Sequence, residues 1–128
     1  MKTPTSVEVD SIHESGHVVI GALIGVTCRS VTTDPPAHCT LTLRGTLTLM
    51  FDEDKRAIFF LAGMVTQHSY YPDVPLTSQH DQAILYGLPE RRRIMYEDFI
   101  RKHLGDPVVR GKIEELANIL KTKISIQL

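Results

Sequence analysis

Cysteine is scarce. Only Cys28 and Cys39 are present and no Cys-x-x-Cys pair occurs, which excludes a disulfide-built scaffold and a thiolate zinc knuckle. The expectation is a pair of reduced thiols in a cytoplasmic protein, with one Cys28–Cys39 bridge as the alternative. Long apolar runs are also missing. The longest stretches, Val18 to Val26 and Ala57 to Val65, fall far short of the ~20 residues that a membrane span needs. Residues 1–12 are polar, with Glu8 and Asp10, so no secretory leader is expected. The formal net charge of −1 gives no bulk electrostatic case for nucleic acid or an anionic membrane.

What is present suits one domain spanning residues 1–128, long enough to bury a core without staples. Hydrophobic residues make up 42% and charged residues 23%, ordinary proportions for a folded domain. Thr5-Ser6-Val7-Glu8 has the form of a capping box, so a helix is expected from Ser6 to about Gly25. Residues 26–33 read as a strand. From Thr40 to Leu49 leucine and threonine alternate, which predicts a hairpin or bent strand pair with Leu41, Leu43, Leu47 and Leu49 on a buried face. Helical character returns from Phe51 to His68. A further helix is expected between Ser78 and Tyr86, broken by Gly87-Leu88-Pro89. Another runs from Glu90 to Leu104, with Ile94, Phe99 and Ile100 facing inward and Glu90-Arg91-Arg92-Arg93 on a solvated face. Gly105-Asp106-Pro107 starts a terminal helix with Val109, Ile113, Leu116 and Leu120 on one face. The expected class is α+β: a mostly helical domain with a small sheet or hairpin beside the first helix.

Chemistry concentrates in that helix. His13-Glu14-Ser15-Gly16-His17 matches His-Glu-x-x-His. Positions i and i+4 share a helix face, so both imidazoles can point at one metal ion. Glu14 lies about 100° round the helix from His13, beside the ion, where its carboxylate can take a proton from a polarised water. Two nitrogens, one carboxylate and an open position suit zinc. Gly16, inside a helix, suggests a close backbone approach. Candidates for the third ligand are His38, His68, His80, Glu53, Asp54, Asp73 and Asp81, and spacing does not choose among them.

The segment His13-Glu14-Ser15-Gly16-His17-Val18 resembles the His-Glu-Ala-Gly-His-Ala segment of FtsH-type AAA protease peptidase domains. Leu61 to Asp81 is similar, without a gap, to that family's stretch from Leu-Gly-Gly-Arg-Ala-Ala-Glu-Glu to Ser-Asn-Asp. Tyr70-Tyr71 and Asp73-Val74 fall in register, and Arg44-Gly45 resembles its Pro-Arg-Gly. Ala62-Gly63-Met64 stands where the family has Gly-Gly-Arg, and Gln67-His68 where it has two glutamates. The resemblance covers roughly residues 8–90. It implies a zincin-like zinc metallopeptidase with His13, His17 and Asp81 as ligands, Glu14 as general base, and a peptide or protein as substrate. No Walker-type phosphate loop occurs, so the expectation is a peptidase without its own ATPase and without a membrane anchor. The alternatives are a zinc-containing module that binds a partner without proteolysis, and another His-Glu-x-x-His class with Glu53 or Asp54 as third ligand. A homo-oligomer or a separate partner protein fits either reading.

Overall fold

The computed structural model describes residues 3–75 and 87–128. In chain order the elements are α1 (Ser6–Leu23), β1 (Cys28–Thr32), β2 (His38–Leu41), α2 (Leu43–Phe51), α3 (Glu53–Tyr70), α4 (Glu90–Leu104), α5 (Pro107–Lys123) and β3 (Ser125–Gln127). The architecture is mostly helical with one small antiparallel sheet, an α+β arrangement, ordered β2-β1-β3. No described helix is long and apolar enough to cross a membrane.

The start of α1 follows from local chemistry. The Thr5 hydroxyl accepts from the Glu8 amide, and the Glu8 carboxylate accepts from the Thr5 amide, each at 3.1 Å. Two of the helix's orphan donors are thereby satisfied. At the other end Gly25 takes φ +83°, the left-handed conformation in which a helix commonly stops. Between the ends, α1 packs most extensively against α3 and then α5. Ile12 and Ile20 share one buried cluster with Ile58, Leu61 and Val65 of α3, Tyr96, Ile100 and Leu104 of α4, and Val109 and Ile113 of α5.

The stretch read as a hairpin is different. Only His38–Leu41 is a strand, and residues 43–51 form α2. Thr42 caps this helix, its hydroxyl accepting from the Gly45 amide at 2.9 Å. Thr46 and Thr48 donate their hydroxyls to the carbonyls of Thr42 and Arg44, four residues back. Thr42, Thr46 and Thr48, which alternate with leucine as in a strand, thus each serve a helical turn, while Thr40 stays in β2. Leucine favours helix as well. Leu43 and Leu47 are not buried: with Met50 and Phe51 they line an outward face of α2.

Asp52 caps α3 by accepting from the Lys55 amide. On α4 the inward residues are Tyr96, Ile100 and Leu104, spaced by four, while Ile94 and Phe99 are exposed. Arg92, expected on a solvated face, ties α4 to α3 through Glu53 at 3.1 Å, and Tyr96 hydrogen-bonds Asp54. On α5 Leu116 is half-buried and Ala117 takes a core position beside Val109, Ile113 and Leu120. Strand β3, which the sequence did not announce, pairs with β1 through Val31↔Ile126. The helix expected from Ser78 to Tyr86 lies outside the described residues.

Candidate metal centre

The His-Glu-x-x-His segment occupies the most buried part of α1: every residue from Ser11 to His17 is buried. Three titratable side chains out of water cost several kcal/mol unless each finds a partner. Among the described residues, α3 supplies a partner to each histidine. The Nδ1 of His13 lies 2.8 Å from Gln67 Oε1, and the Nδ1 of His17 lies 2.7 Å from the Phe59 carbonyl oxygen. Both partner atoms accept, so each imidazole donates its Nδ1–H. The Gln67 amide is fixed in this orientation because its nitrogen faces the Pro75 carbonyl at 3.5 Å.

In a neutral imidazole, donation from Nδ1 leaves Nε2 as an acceptor. The two Nε2 atoms converge to 3.2 Å. Two acceptor nitrogens face each other at this distance favourably only with a cation or proton between them. With zinc–nitrogen bonds of about 2.0–2.1 Å, two ligands of a tetrahedral centre lie about 3.3 Å apart, which the pair matches. The carboxylate of Glu14 joins them, with ligand atoms of the three residues all within 4.8 Å of one another.

Space for an ion is made by Gly63. A Cβ built there would lie 2.3 Å from His17 Nε2 and 2.6 Å from His13 Nε2, in the region both nitrogens address. Gly16 performs the reciprocal service. A Cβ on it would strike Thr66, 2.5 Å from Oγ1, and come within 3.1 Å of the Ala62 carbonyl. The close approach that the helix-interior glycine suggested is therefore the crossing of α1 over α3. Along α3, Phe59, Gly63 and Gln67 recur every four residues and present one acceptor, one gap and one acceptor to the histidines.

On its far side Glu14 meets the sheet. Cys39 of β2 places Sγ 3.6 Å from Glu14 Oε1 and 3.7 Å from the Glu14 carbonyl oxygen. Cys28 of β1 is near enough for each thiol to bias the other's proton. The interaction with Cys39 draws the Cys28 thiol below its ordinary range against the effect of burial. Cys39 is pushed up, first by Cys28, then by burial and by Glu14. Nearby, burial raises the carboxyl of Asp10, with the charge of His13 opposing.

The other expected ligands divide clearly. His38, His68 and Asp73 are exposed, and Glu53 and Asp54 are engaged by Arg92 and Tyr96. Among the described residues, His13, Glu14 and His17 form the group able to hold a metal ion. Asp81 and His80 lie outside the described residues. Two residues central to the geometry carried no assigned role in the sequence reading. Gly63 stood there only as a match to the second glycine of the family's Gly-Gly-Arg and Gln67 only as a departure from its glutamate, although their spacing of four on one helix face was visible.

No protein-family model matches this chain, and no curated protein matches it. The centre therefore stands on its own geometry: a buried His-Glu-His cluster able to hold a metal ion.

Proposed function

We propose that the protein is a zinc-dependent peptidase of zincin-like fold, resembling the FtsH-type peptidase domain. The observation that carries this reading is the pair of Nε2 atoms 3.2 Å apart, each imidazole oriented through Nδ1 by an acceptor on α3, with a buried carboxylate beside them. Such outer-shell orientation is a recurring property of metal-binding histidine.

When bound, zinc supplies Lewis acidity to a water and to a scissile carbonyl. The chain's own residues do the rest. His13 and His17 hold the ion, and Asp81 completes the protein ligands. Glu14 takes the water's proton and later returns it to the leaving amine. Burial of the α1–α3 crossing excludes bulk water and strengthens each of these interactions. The sheet supplies a place for substrate. Among the described residues strand β2 is an edge, paired on one side with β1 and lying against Glu14 through Cys39. An extended peptide adds to such an edge by main-chain hydrogen bonds. The segment offering that edge is His38–Leu41, since residues 43–49 are helical.

Glu14→Gln is the decisive variant. It keeps the side chain's shape and removes the base. Zinc content should stay stoichiometric while turnover of unstructured fluorogenic peptides falls by about two orders of magnitude or more, the scale of general-base catalysis. Full activity in this variant would overturn the role of Glu14. A zinc-loaded wild type that cleaves no unstructured peptide would overturn the peptidase reading itself.

A further inference from the structure

We propose that Cys28 and Cys39 form a peroxide-sensitive thiol pair that gates the site through β2, the effect on turnover resting on the peptidase reading above.

The pair's placement comes from the register. Cys28 pairs with Leu41 and Val31 with Cys39, with a strand irregularity between Cys28 and Ser30. The extra residue puts Cys28, Val31, Cys39 and Leu41 on one face of the sheet, so the two cysteines are diagonal neighbours. That face looks onto α1, where Cys39 Sγ touches both the side-chain and main-chain oxygens of Glu14. A diagonal in an antiparallel pair spans about 7–8 Å, less between Cβ atoms. A disulfide needs Cα atoms within about 7 Å. The gap closes by a small shift of β2, an edge strand held on one side by β1. Both thiols are free and half-buried. Neither belongs to the His13-Glu14-His17 group, so metal loading leaves them available.

The oxidant is a hydroperoxide. Cys28 sulfur, having released its proton, attacks one peroxide oxygen. The O–O bond breaks, the departing oxygen takes up a proton as water in the case of hydrogen peroxide, and Cys28 carries a sulfenic acid. Cys39 sulfur then attacks the Cys28 sulfur. The S–O bond breaks, the S–S bond forms, and the hydroxyl leaves as a second water with the proton from Cys39. Two thiols lose two electrons and two protons, and one peroxide is reduced to two waters. The disulfide draws Cys39 away from Glu14 and removes the S–H that faced its carboxylate. It also shifts the strand edge proposed to receive the peptide.

The test treats the full chain, with and without zinc, with hydrogen peroxide, then alkylates and weighs it. The expected wild-type product is a monomer two hydrogens lighter, with both thiols lost together and restored by dithiothreitol. Cys39→Ser should stop at a sulfenic acid on Cys28 that dimedone traps, and Cys28→Ser should form no internal bridge. Thiols that remain alkylatable, or that oxidise independently in protein with a native circular dichroism spectrum, would overturn the pair. Peptide turnover should fall several-fold on oxidation and recover with reductant, and should be insensitive to peroxide in the Cys28→Ser/Cys39→Ser double variant. Unchanged turnover after complete closure would overturn the gating. The thiol readout needs no turnover. A chain that closes the disulfide but cleaves nothing therefore sinks the peptidase reading alone, and an active chain with inert thiols sinks this one alone.

Discussion

Gly63 of α3 faces His17 of α1 so closely that a methyl group on it would lie 2.3 Å from the imidazole Nε2. Helix–helix packing and the candidate metal site meet at this point. The glycine lets α3 approach α1, and the room it leaves is the room between the two histidine nitrogens.

Gly63→Ala therefore separates packing from binding. The added methyl fills the space that both Nε2 atoms address, at an overpacking cost of about 1–3 kcal/mol. Helical circular dichroism should persist with a lowered denaturation midpoint. Zinc affinity, followed with a competing chelator, should fall by more than the about 10–100-fold that loss of an orienting partner costs. Wild-type zinc affinity in this variant would show that the ion does not sit between the histidines.

Gln67 fixes which nitrogen of His13 carries the proton. Gln67→Leu removes the acceptor at 2.8 Å and frees the ring to rotate or change tautomer. Zinc affinity should weaken about 10–100-fold, while Gln67→Glu, which retains an oxygen acceptor, should bind at least as well as wild type. Equal weakening in both variants would assign Gln67 to packing rather than to orientation.

The legible parts of the molecule are those written in local chemistry. The Thr5–Glu8 box and the five-residue motif specify the start and the chemical face of α1 within a few turns. The error at residues 40–49 has the same source. Alternating leucine and threonine fit a strand face, but the hydroxyls of Thr42, Thr46 and Thr48 can each serve a helical backbone, and hydrophobic period alone does not register that. The remainder was invisible because it is non-local. The importance of Gln67 arises from a contact 54 positions away in the chain, and β3 exists as a strand only because β1 offers it an edge.

At the same helix crossing, Thr66 is fully buried and its hydroxyl has no hydrogen-bond partner among the described residues. A buried unsatisfied polar atom costs about 1–3 kcal/mol. Thr66→Val keeps the branched shape and removes that cost, so urea unfolding should show stability unchanged or raised by about 1 kcal/mol. A loss larger than that would mean that the hydroxyl bonds to an ordered water in solution, which would add a polar link to the α1–α3 seam.

The third ligand is decided by metal content. Glu53 lies 3.1 Å from Arg92 at the start of α3, committed to an ion pair. Asp81, which lies outside the described residues, is proposed on the ungapped run from Leu61, by resemblance alone. Elemental analysis of Glu53→Ala should therefore find wild-type zinc, with at most the small stability loss of an exposed ion pair, on the order of 1 kcal/mol or less. Asp81→Ala should lose zinc or hold it only weakly. The reverse pattern would move the ligand set to the start of α3 and require α3 to turn on α1, contradicting the Gly63 and Gln67 contacts. Wild-type protein that takes up no zinc when it is supplied would sink the metal reading and leave the buried histidines as a hydrogen-bonded pair.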